Sequence, residues 1–173
     1  NDGTDKAGFY APSVTGQADA IKKTLELTNI NPETICYVET HGTGTKLGDP
    51  IEFSGLCNAY REYTDKKHFC GIGSVKTNVG HLDTAAGIIG CIKLILSLYH
   101  KQIPASINFT KINEEIDIDN SPFYVLSDLK KLEEREMPYR AALSSLGIGG
   151  TNAHAIFEEF KREEEVLDTV LDA

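Results

Sequence analysis

The sequence predicts a layered α/β domain built on a mixed β-sheet. Helical and extended patterns alternate up to about residue 101, and three extended patterns follow them. A glycine-rich turn comes directly after the first predicted strand, and a turn ending at Gly80 comes after the second. The 173 residues suit one medium domain. With 40% hydrophobic and 25% charged residues the chain can bury a core and keep a wettable surface, which excludes disordered, collagen-like and coiled-coil classes.

Each element has its own signal. Ser13 caps a helix running to about Asn29, with Val14, Ala18, Ile21, Leu25 and Leu27 on or near one face. Asn31-Pro32 breaks it. Ile35–Glu39 is short and apolar, a buried strand. A glycine-rich turn, His41 to Gly48, leads to Asp49 as N-cap and Pro50 as first-turn proline of a helix reaching about Tyr63. Phe69–Val75 is the next strand. Gly80 ends a second turn, and a long helix runs from about His81 to Lys101. That helix is apolar nearly all round, which predicts burial on most sides. Pro104 stops it. Residues 105–122 read as loop, and Phe123–Leu126, Tyr139–Ser145 and Ala153–Phe157 as strands. Residues 1–160 form the domain. Residues 161–173 are an acidic tail or linker.

Charge narrows the function. A net charge of −9 argues against nucleic acid and against an anionic membrane surface, since both need clustered Lys and Arg. The apolar stretch Ala85–Tyr99 contains Lys93 and is too short to span a bilayer. The expected location is the cytoplasm. Cys36, Cys57, Cys70 and Cys91 form no C-x-x-C pair and read as small buried hydrophobes in a reducing compartment. The histidine spacings give no metal site. Asn1 in place of Met reads as a fragment or expression boundary.

Three segments carry chemistry. In Thr40-His41-Gly42-Thr43-Gly44-Thr45 a histidine sits in a hydroxyl-rich turn after a buried strand. Its plain reading is a tight turn, and its glycine spacing does not fit a dinucleotide loop. In Lys76-Thr77-Asn78-Val79-Gly80-His81 a second histidine opens the long helix. The positive end of the helix dipole there favours a neutral imidazole, and Lys76 adds positive potential. As a plain reading, His81 is a helix cap. Ser144 to His154 is a glycine-rich link between strands, able to present backbone N–H groups as an oxyanion hole, or simply a hairpin.

In this order the segments resemble the C-terminal half of a β-ketoacyl synthase, the ketosynthase of polyketide and fatty acid synthases. The resemblance covers residues 1 to about 160. It includes the A-P-S stretch before Gln17, HGTGTKLGDPIE from His41, GSVKTNVGHLDTAAG from Gly73, and the closing GTNAHAIFE, all of the polyketide synthase branch. It implies a thiolase-like fold, of which this chain supplies a half containing one buried central helix. It implies decarboxylative Claisen condensation, an acyltransferase reaction. His41 and His81 would hold the malonyl-type thioester and stabilise its enolate, supported by Lys76. Thr43 and Thr45 would bind the phosphopantetheine arm delivered by an acyl carrier protein, with no resident cofactor. The Ile148 N–H would help form the oxyanion hole. Asp49 and Glu52 would be structural. The family's nucleophilic cysteine lies in a D-T-A-C-S-S elbow that does not occur here. The resemblance therefore implies an N-terminal partner half, a homodimer of the complete domain, and an isolated chain that is inactive. A degradative thiolase shares the fold, but the two-histidine pattern speaks against it. The alternative function is a non-catalytic module docking an acyl carrier or the partner half.

Overall fold

The Ser13 hydroxyl accepts the Gly16 N–H at 3.1 Å and starts helix α1, Val14–Thr28, which ends at a left-handed Asn29. The computed structural model describes residues 1–3, 6 and 8–160. Ala18, Ile21 and Leu25 are buried along α1, while Leu27 is exposed. A 3-10 turn, Pro32–Thr34, leads into β1, Ile35–Glu39, with the predicted boundaries. Helix α2 spans Gly48–Tyr60 and β2 spans Cys70–Gly73. A single helical turn α3, Lys76–Val79, and a 3-10 turn, Asp83–Ala85, precede α4, Ala86–Tyr99. The two-residue strand β3, Gln102–Ile103, is followed by β4, Phe123–Val125, and β5, Lys130–Lys131. Strands β6, Arg140–Gly147, and β7, Thr151–Glu158, form a hairpin.

The main sheet has the order β4-β2-β1-β6-β7. All neighbours are parallel except the β6–β7 pair, so the sheet is mixed, as predicted. Strands β3 and β5 form a separate antiparallel pair. One face of the main sheet carries α1 and α2 over a core of Ile21, Leu25, Ile35, Val38, Leu56 and Phe123. The other face carries α4 over Tyr37, Leu94, Leu98, Ala141 and Leu143. The register of β1 against β6 slips between Ile35 and Tyr37. This bulge lets Cys36 and Tyr37, neighbours in sequence, join the same α4-side core.

Three expectations are corrected. Asp49 is not the N-cap of α2; the helix begins at Gly48, and the Thr45 hydroxyl accepts the Gly48 N–H at 3.0 Å. His81 does not open the long helix. Gly80 at φ 74° and Asp83 at φ 51° turn the chain first, and α4 starts at Ala86. Helix α4 buries only one face in this chain. Ala86, Gly90, Leu94 and Leu98 pack inward, while Ile88, Ile92, Ile95 and Tyr99 are exposed. The expected tail at 161–173 lies outside the described residues. Among the described residues no helix is long and apolar enough to cross a membrane.

Candidate active site

Two loops leave the C-terminal ends of adjacent parallel strands, β1 and β2, where α/β sheets commonly place their sites. Thr40 ties them together. Its N–H donates to the Gly73 carbonyl at 2.8 Å and its hydroxyl donates to the same oxygen at 3.0 Å. Gly42, at φ 46°, makes the close approach; a Cβ there would lie 2.7 Å from the Ser74 Cβ.

A buried carboxylate grips each loop. Glu52, on α2, accepts the His41 N–H at 2.7 Å and the Gly42 N–H at 2.9 Å. Burial pushes its carboxyl up to about 7; the two N–H groups and Lys76 pull the other way. Asp49, one turn earlier on α2, accepts the Gly44 N–H at 3.1 Å, and burial raises its carboxyl too. On the opposite face Glu39 is 1% exposed. It accepts hydrogen bonds from the Tyr37 hydroxyl and the Lys93 ammonium, both at 2.8 Å, and from the Val75 N–H at the start of the second loop.

The loops bring the two histidines face to edge. Their ring centroids are 5.4 Å apart, with the planes at 83°. The Leu146 N–H, from β6, reaches His41 Nδ1 at 3.4 Å. The Asp83 N–H reaches His81 Nδ1 at 3.0 Å. A ring nitrogen that accepts a backbone N–H carries no proton, so each neutral ring holds its proton on Nε2. Burial, with help from Lys76 and His81, lowers His41 to about 4, which keeps it neutral at pH 7. His81 is exposed. Lys76 is half-buried, and desolvation lowers its ammonium against the pull of Glu52 and Glu39. The arrangement thus offers two N–H donors, with a cation close by, to an oxygen on which negative charge develops.

The other expected residues surround this pair. Thr43 and Thr45 are exposed, with their hydroxyls 3.3 Å apart. A cavity of about 280 Å³ opens beside their loop, with Gly44, Phe53, Ile72, Phe109 and Val125 in its walls. Ile148 sits at the β6–β7 turn, 82% exposed, two residues beyond the Leu146 that holds His41. The cysteines stand apart from this chemistry. Burial pushes Cys36 up to about 11 and Cys57 up to about 12, and raises Cys70 further from reactivity. Cys91 is half-buried. Sequence reasoning missed Glu39 and Lys93. Glu39 passed as a strand end and Lys93 as an interruption of an apolar stretch. A charged residue inside an otherwise apolar helix was the available signal.

Comparisons with known proteins agree with this geometry. Residues 1–110 match the family described as beta-ketoacyl synthase, C-terminal domain. Polyketide synthase PksN of Bacillus subtilis is 61% identical over 161 residues, covering 93% of this chain and 3% of PksN. Polyketide synthase PksL of the same organism is 48% identical over 158 residues, covering 91% of this chain and 4% of PksL. The crystal structure of ketosynthase twelve from the bacillaene polyketide synthase of Bacillus amyloliquefaciens is similar with a TM-score of 0.91 and 63% identity. That match covers 93% of this chain and 29% of the solved one. The chain therefore spans less than a third of each of these proteins. The thiolase-like fold class expected from the sequence stands.

Proposed function

The chain belongs to the β-ketoacyl synthase family, to its C-terminal domain, and from that premise we propose that it supplies the decarboxylating part of a polyketide ketosynthase. The carrier-bound malonyl-type thioester places its carbonyl oxygen between the Nε2–H groups of His41 and His81. The bond from Cα to the carboxylate breaks and carbon dioxide leaves. The electron pair moves into an enolate whose oxygen the two N–H groups hold. Its Cα then attacks an acyl group carried as a thioester on the cysteine of the N-terminal half. A carbon–carbon bond forms and the cysteine thiolate leaves.

The histidine pair carries this reading: both Nδ1 atoms are held by backbone N–H groups, so both Nε2 protons are presented together. A neutral His41 donates a hydrogen bond without giving up its proton, which suits an enolate that must stay reactive. Lys76 adds positive potential. The Thr43 and Thr45 hydroxyls and the apolar cavity beside them suit the amides and methylenes of a pantetheine arm on an acyl carrier protein. The Ile148 N–H contributes to the oxyanion hole of the acyl transfer. The expected homodimer belongs to the complete domain. The isolated chain has no cysteine elbow and is inactive alone.

The test uses the intact polypeptide that contains this segment. His81→Ala removes one donor to the enolate and lowers carbon dioxide release and chain elongation by at least about 10²-fold. Unchanged rates of both steps would sink the assignment.

A further inference from the structure

A small recess lies behind the His41 loop, where α1, α2 and the β6–β7 hairpin meet. Its volume is about 10 Å³, and Gln17, Glu52, Ser144 and His154 are among its walls. That volume is about the minimum for one water centre. Apolar side chains, among them Ile21 and Leu56, share its walls with these polar ones, so what a water would find there is a few polar atoms in an otherwise apolar pocket. Gln17 is 4% exposed, and its Oε1 has no partner among the described residues. Nε2 of His154 is equally inaccessible and equally unpartnered, while the other ring nitrogen of His154 lies 3.0 Å from the Ser144 hydroxyl. Two buried polar atoms left unsatisfied would each carry an uncompensated cost of desolvation. The Glu52 carboxylate has accepted two N–H groups and retains lone pairs for another donor.

We propose that this space holds one ordered water that bridges Gln17 Oε1, His154 Nε2 and the Glu52 carboxylate, making Gln17 and His154 positioning residues for His41. Three partners are the usual number for a buried water. The water joins α1 and the hairpin to the carboxylate that grips the His41 backbone. It also helps to keep that carboxylate charged. The other charged or titratable groups around Glu52 are Asp49 on its own helix, Lys76 on α3 and His41 itself.

The first test needs no turnover, so it stands apart from the condensation reading. A crystal structure of the intact ketosynthase containing this segment, at a resolution that shows waters, should have a density peak about 2.7–3.2 Å from both Gln17 Oε1 and His154 Nε2. An empty space, or a side chain from another segment filling it, overturns the proposal. The second test rests on the proposed reaction. Gln17→Leu removes one ligand of the water and weakens its bond to Glu52. The acid limb of carbon dioxide release then moves up by about one pH unit, the equivalent of one hydrogen bond to the charged form. His154→Phe, which fills the space, gives the same shift, and His154→Gln, whose amide reaches the same water, gives less. A limb that stays in place in Gln17→Leu overturns the positioning role.

Discussion

The two histidine loops both follow a strand of the main sheet but are built differently. The His41 loop is gripped at the histidine itself: Glu52 takes the N–H groups of residues 41 and 42, and β6 holds the ring. The His81 segment is gripped six residues upstream, where Glu39 takes the Val75 N–H. Among the described residues its ring accepts a hydrogen bond from Asp83 of its own turn and meets the His41 ring edge, and it stands exposed. The difference shows that this chain fixes the His41 ring from a neighbouring strand and anchors only the base of the His81 loop. Val79, Leu82 and Ile88, all exposed, flank His81 along the chain and give it no cover here.

Four substitutions sharpen or break that contrast, measured as changes in urea unfolding of the intact polypeptide. The largest effect belongs to the remote clamp. Lys93→Met leaves Glu39 buried without its cation, and loses about 3–5 kcal/mol because both partners are almost wholly enclosed. Glu52→Gln comes next. It replaces one acceptor oxygen with an amide facing a backbone N–H, and loses about 1–3 kcal/mol. A pH series gives the third effect. His41 is lowered from its ordinary 6.5 to about 4, so the unfolded chain binds its proton more tightly. Its contribution to stability is present above pH 6.5 and is lost as pH falls towards 4. Glu52 is raised from 4.5 to about 7, so its contribution is present below pH 4.5 and fades as pH rises through 7. His41→Phe therefore flattens the rise in stability from pH 4 to 6.5, and Glu52→Gln steepens it. The smallest effect is that of His81→Ala, within about 0.5 kcal/mol of the parent, as for other exposed sites. A stability loss in His81→Ala as large as that in Glu52→Gln would falsify the contrast between the loops.

Much of this was legible in the chain. The ends of β1 followed from an apolar run between Pro32 and a glycine-rich turn, and the start of α1 from a serine cap that does accept the Gly16 N–H. His41 stood out because packing poorly explains a histidine in a glycine-rich turn at a strand end, while His81 could be read as a helix cap until its place beside Lys76 and the order of the segments were weighed together. Three features escaped for physical reasons. The false start at His81 arose because the apolar pattern runs back through Leu82, while Gly80 and Asp83 take positive φ and unwind it. Asp49 looked like a cap because it precedes Pro50, yet Leu47 holds the N-cap position and the first helical N–H, from Gly48, goes to the Thr45 hydroxyl instead. The Glu39–Lys93 pair joins residues 54 positions apart, and no local pattern encodes such a meeting. The apolar surround of α4 gave its composition correctly but not which side this chain covers.

The bulge in β1 has a consequence for anyone splicing synthase genes. It adds one residue between Ile35 and Tyr37, and that residue count sets which side of the sheet the Tyr37 hydroxyl and the Glu39 carboxylate face. A chimera joined within 35–39 with one codon lost would keep every motif readable and still turn the Glu39 carboxylate away from Lys93. Crossover points placed before Pro32 or after Gly48 carry the bulge and the loop it serves as one inherited piece.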